Sequence, residues 1–70
     1  MENAIVIEVN GEKHETASGT TVRTLLDQLE LNAGRVAIEY NLQILRKSEW
    51  DSTKVAPGDR LEIVQFVGGG

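Results

Sequence analysis

Only one stretch of the chain places apolar side chains at helical spacing, and the segments around it alternate between apolar and polar residues. Val22, Leu25, Leu26 and Leu29 fall at i, i+3, i+4 and i+7, and Thr21 precedes them as a candidate N-cap. A helix with one apolar face must cover that face with another element, and only strands are available here. The pattern predicts a two-layer α+β domain with one helix on a sheet.

Five short segments have the alternation or the β-branched composition of strands: 4–9, 12–16, 36–40, 43–45 and 60–67. Asn10-Gly11 predicts a type I′ hairpin between the first two, because both residues tolerate positive φ. Asn41-Leu42 predicts a second tight turn, whose type stays open because no glycine follows the asparagine. This order predicts a β-grasp fold: a mixed sheet of four or five strands, with the first and last strands as parallel neighbours at its centre.

The connecting segments carry local signals of their own. The helix is expected to end within residues 31–34, which include Gly34. Ser48 is a candidate cap for a short helical turn that contains Trp50, and we expect this tryptophan to cover one end of the core. Pro57-Gly58 predicts a type II turn directly before the last strand.

The composition excludes several classes of function. Seventy residues make one small domain, and the absence of cysteine removes disulfides, thiolate metal sites and cysteine nucleophiles. Eleven acidic and seven basic side chains give a net charge of −4, which argues against binding to nucleic acid. No apolar run is long enough to span a membrane, and the first residues lack the pattern of a secretory signal. We therefore expect a cytoplasmic protein.

The side chains offer little chemistry. His14 has no spaced partner, so a histidine facing solvent is a better interpretation than a metal ligand. Glu49 and Asp51 could form a carboxylate pair, but their polar surroundings favour a solvated loop. Gly19-Thr20 lacks the lysine and the spacing of a phosphate-binding loop.

The main chain offers more, because Gly68, Gly69 and Gly70 follow the last predicted strand. Three residues without Cβ can form a thin, flexible strip that presents the α-carboxylate of Gly70 to another enzyme. A carboxylate can attack the α-phosphate of ATP to give an acyl-adenylate, from which a sulfur donor or a lysine amine then displaces AMP. From the residues alone, a tail without function is an equal alternative. We expect a β-grasp domain over residues 1–67 and a tail over 68–70.

Residues 57–70 resemble the carboxy-terminal signature of the ThiS family, the sulfur carrier proteins of thiamine biosynthesis: a Gly-Asp turn, an apolar strand, a small residue and Gly-Gly. Segments 9–12, 21–26, 36–41 and 48–50 resemble the same family in the same order. The resemblance covers essentially the whole chain. The missing glycine after Asn41 departs from the commoner pattern, but it bears on a turn and not on the transferred chemistry.

The resemblance implies a ubiquitin-like protein that is not itself an enzyme. In this family an E1-like activating enzyme adenylates the terminal glycine with ATP and magnesium, so Gly70 is the expected site of adenylation. The product becomes a thiocarboxylate, with sulfur that comes ultimately from a cysteine desulfurase. Thiazole synthase then receives the sulfur. The chain itself is expected to bind no cofactor.

The last strand also predicts a docking surface. If Leu61 and Ile63 face the helix, then Glu62, Val64 and Phe66 face the open side of the sheet, and Val6 of the first strand lies on that side too. Exposed apolar groups of this kind favour a docking surface for the activating enzyme, and isolated surface residues are the alternative.

Three other functions remain open at this point. The small subunit of molybdopterin synthase shares the fold and the thiocarboxylate. A ubiquitin-like modifier shares the tail chemistry but joins its carboxylate to target lysines. A β-grasp interaction module would have the fold without any tail chemistry.

Overall fold

A computed structural model describes residues 3–66 of the chain; Val67 and the predicted tail, residues 68–70, lie outside the described part, as do the first two residues. The strands are β1 (Ala4–Val9), β2 (Glu12–Ala17), β3 (Val36–Tyr40), β4 (Gln43–Leu45) and β5 (Arg60–Gln65), and the helix is α1 (Val22–Gln28). The strands form one sheet in the order β2-β1-β5-β3-β4. β1 and β5 are parallel, whereas the other neighbouring pairs are antiparallel. The predicted β-grasp order and the parallel central pair are confirmed.

The core lies between α1 and one face of the sheet. The most deeply buried side chains come from the helix and the three central strands: Val22, Leu25, Leu26, Ile7, Ile38 and Leu61. Trp50 is buried in the same cluster, as predicted, and its indole N–H donates to the Leu45 carbonyl at 3.2 Å. Each fully buried aliphatic side chain contributes about 1.5–3 kcal/mol, so this small cluster supplies most of the apolar stabilisation.

The helix ends earlier than its sequence predicts. α1 stops at Gln28 because Glu30 takes a left-handed backbone with φ of 59°. The N–H of Glu30 donates to the Asp27 carbonyl at 3.1 Å, and the N–H of Leu31 donates to the Leu26 carbonyl at 3.0 Å. This pair of bonds is a Schellman motif, which usually has glycine where this chain has Glu30. The prediction that the helix ends within residues 31–34 was therefore wrong.

The connections around β4 and β5 partly match the predictions. Gly58 has φ of 83°, and the Asp59 N–H donates to the Ala56 carbonyl at 3.0 Å, which confirms the type II turn. Residues Lys47–Glu49 form a 3₁₀ turn that Trp50 follows, and no side chain caps its start. The prediction that Ser48 caps this turn was wrong. Within residues 3–66, no helix has the length and apolar character to cross a membrane.

Candidate functional site

β5 is the described element that leads towards the three glycines, which themselves lie outside the described residues. It occupies the middle of the sheet, between β1 and β3. The strand ends at Gln65, but the N–H of Phe66 still donates to the Arg35 carbonyl at 2.8 Å. The fold therefore holds the backbone as far as Phe66, two residues before Gly68.

The side chain of Asn10 holds β5 on its β1 side. Its Oδ1 accepts the Ile63 N–H at 2.7 Å, its Nδ2 donates to the Ile63 carbonyl at 3.3 Å, and its own N–H donates to the Leu61 carbonyl at 2.9 Å. Asn10 has φ of 51°, as the predicted turn requires. Its amide thus takes over the pairing with β5 at the point where β1 turns away.

Asn41 does the same from the β3 side. Its Oδ1 accepts the Arg60 N–H at 2.9 Å, and its N–H donates to the Arg60 carbonyl at 2.8 Å. Asn41 and Leu42 both have positive φ, of 51° and 72°, which is the backbone of a type I′ turn without a glycine. The sequence predicts both asparagines as turn residues, but no local pattern reveals their contacts with β5.

The turn that enters β5 is anchored by the Asp59 carboxylate. The Tyr40 hydroxyl and the Ala56 N–H, the latter at 2.7 Å, both donate to its Oδ2, while the Asn41 amide donates to its Oδ1 at 3.2 Å. Burial, the hydrogen bond to Asp59 and the charge of that carboxylate raise the pKa of Tyr40 to about 12. Tyr40 therefore keeps its proton, and donates it to Asp59, throughout the neutral range.

The four predicted docking residues are all exposed, but they do not form one patch. Val64 and Phe66 are 56% and 55% exposed and follow Glu62 along the chain. Val6 is 46% exposed and lies between the buried Ile5 and Ile7, on the face away from α1.

The strand register separates Val6 from the others. Its carbonyl accepts the Gly58 N–H at 2.9 Å, so Val6 lies beside a residue that precedes β5. Val6 is two residues before Glu8, Glu8 pairs with Arg60, and Val64 is four residues further along β5, so Val6 and Val64 are about 20 Å apart along the strand direction. The predicted set therefore occupies two areas of the open face, and only the one with Glu62, Val64 and Phe66 lies near the end of β5.

Two further exposed apolar side chains were missed: Ile44 lies in the same cross-strand row as Glu39 and Glu62, whereas Leu42 lies beside the start of β5. Ile44 of β4 is 73% exposed and Leu42 of the preceding turn is 78% exposed. The alternation in 43–45 could have revealed Ile44, because Leu45 faces the core and its neighbour must point away.

Ile44 helps to form a shallow groove across the open face, which we call the open-face groove. Across the sheet Ile44 pairs with Glu39, Glu39 pairs with Glu62, and Ala37 pairs with Val64. These residues, together with Ile38, line a volume of about 200 Å³. The groove combines apolar walls with two neighbouring carboxylates.

Residues 3–66 contain no group of three histidine, cysteine, aspartate or glutamate side chains that could hold a metal ion. Glu49 and Asp51 are exposed, and Asp51 accepts from Arg23 Nε at 3.2 Å. His14 pairs with Ile7 on the helix side and is half-buried, so the predicted solvent-facing position was wrong.

One helix on a five-stranded mixed sheet, with β1 parallel to the central β5, defines a ubiquitin-like β-grasp domain. The profile of the ThiS family matches residues 3–70, so the match includes all three terminal glycines. The chain belongs to the ThiS family.

Similar proteins agree with this assignment. The chain is 33% identical over 61 residues to the sulfur carrier protein ThiS of Escherichia coli, covering 87% of this chain and 92% of that protein. It is 44% identical over 62 residues to a thiazole synthase of Paramagnetospirillum magneticum, covering 89% of this chain but only 19% of that longer protein. The crystal structure of a ThiS from Geobacter metallireducens superposes with a TM-score of 0.81 at 33% identity, covering 94% of this chain and 100% of that one.

Proposed function

We propose that this chain carries sulfur for the thiazole step of thiamine biosynthesis, as a thiocarboxylate on Gly70. The observation that carries the proposal is the family match, which extends over the fold and through Gly68, Gly69 and Gly70. In this role the chain is a protein co-substrate and not an enzyme. The chemistry takes place at a main-chain carboxylate, which is consistent with a chain that has no cysteine.

The proposed activation begins with attack of the Gly70 carboxylate on the α-phosphate of ATP. Pyrophosphate leaves, and a carboxylate oxygen of Gly70 becomes bonded to the phosphorus of AMP, which gives an acyl-adenylate. A persulfide supplied by a cysteine desulfurase then attacks the carbonyl carbon with its outer sulfur and displaces AMP, which gives an acyl disulfide. A thiol reduces the S–S bond and releases the thiocarboxylate, so that sulfur replaces one carboxylate oxygen. ATP and magnesium belong to the E1-like activating enzyme. We place these exchanges in the cytoplasm, where that enzyme has access to ATP.

Thiazole synthase is the proposed acceptor of the sulfur. The relative from Paramagnetospirillum magneticum supports it, because a segment 44% identical to this chain occurs within a protein named thiazole synthase. That observation favours the thiamine pathway over the molybdopterin pathway, which would use a different acceptor.

The carrier function is tested by the mass of the intact protein. After incubation with ATP, the activating enzyme and the sulfur donor, we expect the chain to gain the mass difference between one sulfur and one oxygen atom. Tandem mass spectrometry should locate the change at Gly70. Omission of ATP is the control, and a change located at any other residue would rule out the proposed chemistry.

The area formed by Glu62, Val64 and Phe66 is proposed to dock on the activating enzyme, with Val6 contributing at the second area. Val64→Asp and Phe66→Asp each place a charge on an exposed apolar surface, so we expect each to weaken binding about tenfold or more. Calorimetric titration of the activating enzyme measures this. Val6→Asp shows whether the second area takes part.

Thr24→Asp is the matched control, because it adds the same charge to the exposed side of α1. Its affinity should stay within about twofold of the original, since exposed substitutions away from an interface cost little. Equal weakening by Thr24→Asp and Val64→Asp would show that net charge, and not a docking surface, controls binding.

A further inference from the structure

The open-face groove contains a charge arrangement that the fold itself does not need. Glu39 and Glu62 are directly opposite each other on β3 and β5, and both are exposed. Like charges in this position destabilise an antiparallel pair. Among residues 3–66, neither carboxylate has a cationic side-chain atom within 4.0 Å. The nearby Arg60 pairs instead with Glu8, at 3.8 Å between Nε and Oε1.

Apolar side chains enclose this acidic pair on two sides. Ile44 lies beside Glu39 across the β3–β4 pairing, and the Ala37–Val64 pair forms the next row on the same face towards the end of β5. Both Ile44 and Val64 are more than half exposed. A side chain that fills this groove must therefore have an apolar stem and a positive head.

We infer that the open-face groove receives an arginine side chain of the enzyme that adenylates the chain, with the guanidinium between Glu39 and Glu62. The inference rests on the proposed function, because it assigns a contact to the activating partner. Arginine fits better than lysine, since its planar head has five N–H donors that can reach two neighbouring carboxylates. Its methylene stem can lie against Ile44 and Val64.

The charge of the reactants favours the adenylating enzyme as the occupant. This chain has a net charge of −4, and its carboxylate must approach the polyphosphate of ATP. Both reactants are anionic, so the enzyme must provide positive groups that attract the carrier and hold it. The groove lies next to Val64, near the end of β5 that leads to the tail, and it is therefore well placed for such a contact.

The first test compares single-charge substitutions on the open face. Glu39→Gln and Glu62→Gln each remove one side of the guanidinium site, and calorimetric titration of the purified adenylating enzyme should show about tenfold weaker binding for each. Asp27→Asn is the matched control, because it removes one exposed carboxylate from α1, which covers the opposite face of the sheet. It should change affinity less than twofold.

The same variants separate binding from folding. Removing the repulsion between Glu39 and Glu62 should leave the melting temperature unchanged or raise it, although binding weakens. Loss of affinity together with loss of stability would assign the two glutamates a structural role and overturn the inference.

The second test identifies the partner's side chain. Phenylglyoxal modifies exposed arginines, and peptide mapping should find one enzyme arginine that the unmodified carrier protects and the Glu39→Gln/Glu62→Gln double variant does not. Protection of a lysine against acetylation instead, or equal protection by both carriers, would contradict an arginine contact.

The two levels of the proposal fail in different ways. If the original chain gains no sulfur at Gly70, the carrier function itself is wrong. If it does gain sulfur, but Glu39→Gln, Glu62→Gln and Asp27→Asn bind the enzyme equally well, only the arginine site is wrong.

Discussion

Removal of Gly69 and Gly70 is expected to abolish sulfur loading completely while leaving the fold intact. Adenylation needs a carboxylate that can reach the α-phosphate of ATP, and the truncated chain would present the carboxylate of Gly68, two residues short. The buried core consists of residues between Ile5 and Ile63, so the deletion removes none of its apolar surface. Intact-mass measurement after incubation should show no sulfur gain, and the melting temperature should stay the same.

A carrier with one alanine added after Gly70 is the informative control. It keeps every residue of the tail but moves the carboxylate to a residue with a side chain, so we expect it to bind the activating enzyme and gain no sulfur. Sulfur gain by either altered chain would show that the reaction does not require the Gly70 carboxylate. A large fall in melting temperature on deletion would instead assign the glycines a structural role.

The amphipathic helix and strands of this fold can be predicted from the sequence, because an element that buries one face must have apolar residues at the spacing of that face. The stripe of α1 and the alternation of β1 and β5 are of this kind, and they led to the correct sheet. The end of α1 could not be predicted in this way. Glu30 takes the left-handed backbone that glycine usually supplies, so the composition gives no signal there.

The candidate site shows the same limit at longer range. Alternation correctly predicts that Glu62 and Val64 point away from the core side of the sheet, but it gives no register between β5 and its neighbours β1 and β3. The register places Val6 beside Gly58 and Glu39 opposite Glu62, and both facts depend on which residues meet across the sheet. The contact of Asn10 with Ile63, 53 residues later, is likewise visible only in three dimensions.

Leu25→Ala is expected to have the largest effect on the stability of the fold. Leu25 is 0% exposed and lies between α1 and the sheet, so its truncation leaves a cavity that the surrounding side chains fill only in part. Such substitutions raise the free energy of the folded state by about 2–5 kcal/mol. The net free energy of unfolding of a chain this short is about 3–5 kcal/mol, so much of the variant should be unfolded at 25 °C. Urea titration followed by circular dichroism measures this.

Leu42→Ala is the matched control, because it makes the same chemical change at a position that is 78% exposed. Both the original and the new residue carry a Cβ at the positive φ of this turn, so the backbone strain is the same in each. We expect its free energy of unfolding to differ from that of the original chain by no more than about 0.5 kcal/mol. Ile7→Val, at another buried position, should cost about 0.5–1.5 kcal/mol and keep the chain folded enough for a full titration. Equal effects of Leu25→Ala and Leu42→Ala would contradict the assignment of the core to the space between α1 and the sheet.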